Sequence, residues 1–244
     1  MANDPTPPHR NAAEAPAPSP DAPHDDAARA FRDLLRGLRV WDHPLPSFDA
    51  AGAPDEPLAL FRRWLREAAE AGQPEPHTMT LATADGAGDP SVRIVMLHDA
   101  DERGWHFGSH RGSRKGRELA ARPRAALLFY WAAVGRQVRI EGTVAEAGPE
   151  ESAAALHQRS TGSLAAALVG RQSEVLGSAA ELDRAADAAW DRAVREPDAP
   201  VPDWTRYILH ADAVEFFQGD ARRRHVRLNY RRSEGSWRRE LLWP

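Results

Sequence analysis

The stretch TMTLATADGAGDPSVRIVMLHDADERGWHFGSH, residues 78–110, decides the fold. It holds three extended runs, 78–84, 91–100 and 105–109, parted by DGAGDP and DERG. Both gaps are short and rich in Gly, Asp and Pro or in charge, which is the chemistry of a turn. Runs joined so tightly lie antiparallel, because a parallel neighbour needs a crossover of about a dozen residues. The same signature returns downstream. ALLFYW (126–131) and RQVRIEGTVAEA (136–147) are joined through AAVG, and TRYILHADAVEFFQ (205–218), RRHVRLNYRR (223–232) and WRRELLWP (237–244) follow. No strand–helix–strand alternation occurs, which argues against a Rossmann sheet. A closed sheet removes exposed edges, so the expected fold is mainly β: an antiparallel barrel of about six or seven strands with peripheral helices.

Helical spacing marks what lies between. Residues 27–39 space Phe31, Leu34, Leu35 and Leu38 along one face. A second helix starts near Pro57, with Asp55 as its expected cap; Leu58, Phe61, Leu65 and Ala68 form its stripe and Gly72 ends it. Residues 113–122, 149–158 and 163–170 are short helices. The longer helix over 179–196 is expected to turn Leu182, Ala186, Trp190 and Val194 inward. Residues 1–26 hold seven of the 20 prolines and little apolar surface, and read as a disordered tail before a single domain over 27–244.

Composition narrows the chemistry. The 244 residues include no cysteine, so disulfides, thiolate metal sites and cysteine nucleophiles are excluded. The net charge of -4 gives no basic excess for nucleic acid. No apolar run approaches the ~20 residues of a membrane helix, and the start lacks a signal-peptide core, so the cytoplasm is the expected location. The histidines lack paired ligand spacing, so no metal is expected. All but one of the 32 basic residues are arginine; the exception is Lys115. An ammonium is compact where a guanidinium is a wide fork, so a lone lysine is either chance or a place where arginine does not serve.

Lys115 lies in RGSRKG (111–116), at a strand-to-helix junction just after Ser109. Helix-start amides, hydroxyls, Arg114 and Lys115 together suit a phosphate; a solvated basic helix start is the plainer reading. Arg93 sits mid-strand. Gln137 shares a strand face with Arg139 and offers both a donor and an acceptor to a planar heterocycle, or else is an ordinary exposed side chain. GRQSE (170–174) brings Gln172 and Ser173 after a helix. In RRRHVR (222–227), strand alternation would place Arg223, His225 and Arg227 on one face, where repulsion calls for an anion or partner carboxylates, or else the face is a charged outer barrel surface in water.

Together, RIVMLHD, GWHFGSHRGSRKGRELAARPRAALLFYW, RQVRIEG, HQRSTGS, RQSE, VEFFQGDARRRHVR and the ending RELLWP resemble the pyridoxamine 5'-phosphate oxidases of the FMN split-barrel superfamily. The resemblance runs in order from about residue 55 to the C-terminus. It implies a homodimer with FMN at the subunit interface, hydride transfer from substrate to flavin N5, and reoxidation by O2 to H2O2. By matching position, Arg93, Ser109, Arg114 and Lys115 would hold the FMN phosphate and ribityl chain. Gln137, Gln172, Ser173 and Arg227 would contact the flavin or its tail, and Phe217 stands where the family carries a tryptophan. Arg223 and His225 would cover the substrate, Arg223 as clamp and His225 to orient it or manage a proton.

Departures are informative. Family members that oxidise the vitamin carry a lysine where this chain has His98 and a tyrosine where it has Ala155. Those two groups act there with the residues matched by Arg159 and Ser163 on the substrate phosphate. Each lost charge-assisted bond is worth ~1.5–3 kcal/mol. A related branch of the family oxidises reduced phenazine precursors that carry carboxylates and no phosphate, and resemblance to that branch makes such a non-phosphorylated reduced heterocycle the expected substrate. Two alternatives stand beside it: a genuine B6-phosphate oxidase with His98 protonated, and a non-catalytic flavin or haem binder on the same barrel.

Overall fold

In the computed structural model, residues 24–244 are described. They fall into two compact units, one ending at Asp42 and one spanning His43–Pro244. The first holds α1 (His24–Gly37), whose Phe31, Leu34 and Leu35 are exposed. The segment read as a disordered tail lies, up to residue 23, outside the described residues.

The second unit holds the sheet. Its strands are β1 (Thr78–Ala84), β2 (Pro90–Met96), β3 (Asp99–Asp101), β4 (Gly104–His110), β5 (Arg124–Trp131), β6 (Arg136–Glu146), β7 (Trp204–Gln218), β8 (Val226–Ser233) and β9 (Ser236–Leu241). The main path runs β2-β1-β5-β6-β7-β4-β3, and β8 and β9 extend from β7. Every pairing is antiparallel. The two ends of the path, β2 and β3, follow each other in the chain, so the sheet curls back on itself. The seam falls at His98, whose amide donates to the His106 carbonyl of β4 at 2.8 Å. The fold is thus the antiparallel barrel that the hairpin signals imply, with the 91–100 run broken into two strands at this seam.

α2 (Pro57–Glu70) packs into the barrel core. Phe61 meets Phe129 edge-on at 5.0 Å and Trp64 meets Phe216 at 5.1 Å. Its buried stripe is Pro57, Leu60, Phe61, Trp64 and Ala68, and Asp55 does not cap it. The cap position belongs to Glu56, which makes no side-chain bond, while Asp55 lies 3.4 Å from Arg239. Full burial of Phe61 and Trp64 contributes about 1.5–3 kcal/mol each.

Four further helices are α3 (Arg114–Ala121), α4 (Pro149–His157), α5 (Thr161–Val169) and α6 (Ala179–Arg195). α6 overturns one expectation. Leu182, Trp190 and Val194 are exposed, and the buried positions are Ala189 and Ala193. Small side chains let α6 approach α5 closely, so its large apolar groups face outward.

Candidate functional site

An open cavity of about 660 Å³ lies where β2, β4, α3, α4, α5 and the loop after α5 converge. Nine of the expected residues line it: Arg93, His98, Ser109, Arg114, Lys115, Arg159, Ser163, Gln172 and Ser173. Among the described residues, no acidic side chain lines it.

The floor is built around the junction of β4 and α3. Ser113 caps α3, its hydroxyl accepting from the Gly116 amide at 3.2 Å. Gly116 is obligatory there, because a Cβ would lie 2.2 Å from the Arg111 carbonyl oxygen. Lys115, one position earlier on α3, is buried. Its ammonium donates to Ser109 Oγ at 3.0 Å and Gln172 Oε1 at 3.1 Å. Both acceptors are neutral, and no ion pair of Lys115 occurs among the described residues. Burial first, then the Arg93 charge, push its pKa down to about 8 against the opposing pull of Glu118.

Glu118, which sequence reasoning missed, organises the neighbouring arginines. It is buried and accepts from Thr83, Ser91, Arg114 Nε at 2.8 Å and Arg93 at 3.0 Å. Burial pushes its pKa up, but these donors outweigh it and hold the carboxyl down to about 2. A helical Glu four residues after an Arg looks like a surface pair; only the depth of α3 against β1 and β2 makes it a buried hub.

The loop after α5 completes this end. Arg171 and Ser173 both hold left-handed backbone, at φ +47° and +74°. Such conformations cost about 1–3 kcal/mol each and persist where surroundings impose them. Here they set Gln172 on Lys115 and the Ser173 hydroxyl on the Arg114 amide at 3.1 Å.

The other end of the cavity is less charged. His98 stacks on Trp204 with planes 8° apart and centroids 6.2 Å apart. Gly108 makes room for the stack, since a Cβ would fall 2.2 Å from the Trp204 ring. Burial first, then the charges of Arg159 and Arg206, push the His98 pKa down to about 4. In the unliganded protein, burial therefore disfavours the protonated imidazole that the B6-phosphate alternative calls on. Its buried Nδ1 has no hydrogen-bond partner among the described residues. Arg159, half-buried on the loop between α4 and α5, makes no side-chain hydrogen bond or ion pair among the described residues. Ser163 Oγ lies 3.1 Å from Ser160 Oγ. Ala155 is half-buried in the apolar cluster that holds Leu156 and Trp204.

The remaining candidates do not line this cavity. Gln137 pairs with Phe217 across β6 and β7, and Phe217 with Arg227 across β7 and β8. Arg227 is engaged by Glu215, at 2.8 and 3.1 Å, and by the Trp243 carbonyl at 2.8 Å. Glu215 also takes Arg139 at 2.6 Å, which answers the repulsion among these cations with a buried carboxylate. Arg223 and His225 are not on a strand. β8 begins at Val226, and both residues lie in the preceding turn, with Arg223 at φ +63°. The alternation argument for a shared strand face therefore fails for them. A group of Asp99, Asp101 and His106 has ligand-type atoms within 4.8 Å. Arg206 bonds His106 Nδ1 at 2.8 Å and Asp99 at 3.2 Å, so guanidinium donors already engage it.

Residues 65–193 match the family described as pyridoxamine 5'-phosphate oxidase. The chain belongs to the pyridoxamine 5'-phosphate oxidase family. Residues 204–244 match the C-terminal dimerisation region of pyridoxine 5'-phosphate oxidase, so β7, β8 and β9 carry that part of the family pattern. A pyridoxine/pyridoxamine 5'-phosphate oxidase of Paraburkholderia phymatum is 45% identical over 204 residues, 83% of this chain and 96% of its own length. One from Salinibacter ruber is 44% identical over 193 residues, 78% of this chain and 90% of its own. Among solved structures, PhzG of Burkholderia lata, in complex with tetrahydrophenazine-1-carboxylic acid, is 32% identical with a TM-score of 0.76. That match covers 83% of this chain and 98% of PhzG. A pyridoxamine 5'-phosphate oxidase-related FMN-binding protein of Nostoc punctiforme, 17% identical with a TM-score of 0.63, shares the fold; the match covers 75% of this chain and 97% of that one. The chain is an oxidase of this family.

Proposed function

We propose that the protein is an FMN-dependent oxidase acting on a reduced, non-phosphorylated heterocycle that carries a carboxylate, of the phenazine-precursor kind. The donor set at the α3 end suits an FMN phosphate: a buried ammonium with neutral acceptors, two guanidiniums held by Glu118, and two hydroxyls. Lys115, Arg93, Arg114, Ser109, Gln172 and Ser173 would hold that phosphate and the ribityl chain. The exposed apolar edge of β2, Val92, Ile94 and Met96, would face the ring. When bound, FMN supplies the hydride acceptor, at N5, and returns the electrons to O2 as H2O2.

The chain's own groups bind and orient the substrate. Arg159 offers a guanidinium fork and Ser163 a hydroxyl, which together suit a carboxylate. Trp204 and His98 supply a flat wall. Gln137, Phe217, Arg223, His225 and Arg227 belong to the same site in a homodimer, contributed by a second copy; this explains why they stand apart from the cavity in one chain. Arg223 then clamps the substrate over the ring and His225 hydrogen-bonds it.

The observation that carries this reading is the geometry of this end of the cavity: Arg159 and Ser163 line it beside a His98 that is stacked on Trp204 and whose pKa burial pushes down. One guanidinium and a hydroxyl match a monoanion, whereas a phosphate dianion also calls on the cation that a lysine provides in B6 oxidases. The names of the 44–45% identical relatives favour a second reading, oxidation of pyridoxine or pyridoxamine 5'-phosphate. Both are tested by measuring H2O2 release from the FMN-loaded protein with those two phosphates and with tetrahydrophenazine-1-carboxylic acid. Higher kcat/KM on the carboxylate is expected; preference for the phosphates defeats the first reading.

A further inference from the structure

The turn that carries Arg223 and His225 is organised by one residue, Asp220. Its Oδ1 accepts from the Arg222 amide at 2.8 Å and the Arg224 amide at 3.2 Å. Its carbonyl accepts from the Arg223 amide at 2.9 Å. Its own amide donates to Nδ1 of His225 at 3.0 Å. A side-chain oxygen that reaches amides two and four residues ahead closes the backbone into a compact loop. Arg223 is held inside that loop in left-handed backbone, which an arginine adopts only when its surroundings impose it.

The bond to His225 settles the tautomer. An amide N–H only donates, so Nδ1 is the accepting nitrogen and the neutral ring carries its hydrogen on Nε2. The ring is also placed, tilted 39° to Phe217 with centroids 5.0 Å apart. A guanidinium has donors only. The Arg223 guanidinium and the His225 Nε2–H are therefore both donors.

We propose that Asp220 is a positioning residue that aims Arg223 and His225 as a pair of hydrogen-bond donors at an electron-rich atom of the substrate. This rests on the reading above that the pair meets substrate. It deepens that reading, since it assigns the substrate an acceptor at this end, a ring nitrogen, an oxygen or a carboxylate. It also gives His225 the work of binding and polarising rather than of removing a proton.

The test compares Asp220→Ala, Asp220→Asn and Arg223→Ala in the FMN-loaded enzyme. The probe is whichever of pyridoxamine 5'-phosphate and tetrahydrophenazine-1-carboxylic acid the parent oxidises faster. Asp220→Ala is expected to lower kcat/KM about tenfold at unchanged flavin content, by loosening the pair's aim. Asp220→Asn keeps the accepting oxygen and is expected to recover activity to within about twofold. Nitrogen NMR of ¹⁵N-histidine-labelled protein should show His225 Nδ1 unprotonated in the parent and averaged between tautomers in Asp220→Ala. Parent-like kcat/KM and unchanged His225 shifts in Asp220→Ala, with Arg223→Ala impaired, overturn the role of Asp220 alone. Full activity in Arg223→Ala instead overturns the assignment of the pair to the substrate, and this proposal with it.

Discussion

Lys115→Ala separates the cost of a buried charge from its use. In the flavin-free chain Lys115 is 8% exposed and, among the described residues, its ammonium donates to neutral acceptors, with its pKa pushed down to about 8 by burial and Arg93. The unfolded value is 10.5. Between the two the unfolded chain binds more protons, so this group makes the free protein more stable as pH rises from about 8 to 10.5. Alanine removes that burden, and the flavin-free variant should melt within a few degrees of the parent. Binding is the opposite case. A charge-assisted bond to phosphate is worth about 1.5–3 kcal/mol, so the variant should hold FMN about 10- to 150-fold more weakly. An anion favours the ammonium and raises its pKa, so above pH 8 binding takes up a proton. Parent affinity should then fall by up to about tenfold per pH unit, and be flat below about pH 7. Quenching of flavin fluorescence, titrated from pH 6.5 to 9.5 (about three pH units around the inflection), reads both effects. The variant should show weaker binding without the inflection. Equal affinity in parent and variant, or a flat parent profile, would refute the reasoning.

Glu118→Gln breaks a buried pair and should cost about 3–5 kcal/mol, a drop of roughly 6–20 °C in Tm by calorimetry. Because the Glu118 carboxyl titrates near 2 in the fold, its stabilisation is present above the unfolded value of 4.5 and is lost as pH falls from there toward 2; the variant should lack this acid-sensitive component. His98→Lys should lower KM for pyridoxamine 5'-phosphate by about tenfold, and no change means that the position does not face the substrate. Gly116→Ala drives a Cβ against backbone carbonyls and should purify without flavin, checked by absorbance near 450 nm (roughly the flavin band of a bound cofactor).

The strands were legible because turns are local. DGAGDP, DERG and AAVG each force a reversal within a few residues, and the hairpins follow from chain geometry. The anion end was legible for a similar reason: a helix start brings its own amides, hydroxyls and lysine within one turn. Three features escaped. The outward stripe of α6 was misread because periodicity reports an apolar face without saying what covers it, and alanines turned out to make the close contact. Glu118 escaped because its depth depends on β1 and β2. Arg223 and His225 were taken for strand residues because alternation was extended across a turn that an aspartate closes.

By itself the sequence determined the antiparallel pairing, the helix starts and the set of cationic residues, since these rest on interactions between residues near in the chain. Only the tertiary structure decided which cations are already neutralised and which histidines burial pushes down. Charge state and hydrogen-bond supply depend on burial and on groups brought together across the sheet, such as Glu118 under Arg93 and Arg159 beside His98. No spacing along the chain encodes those distances.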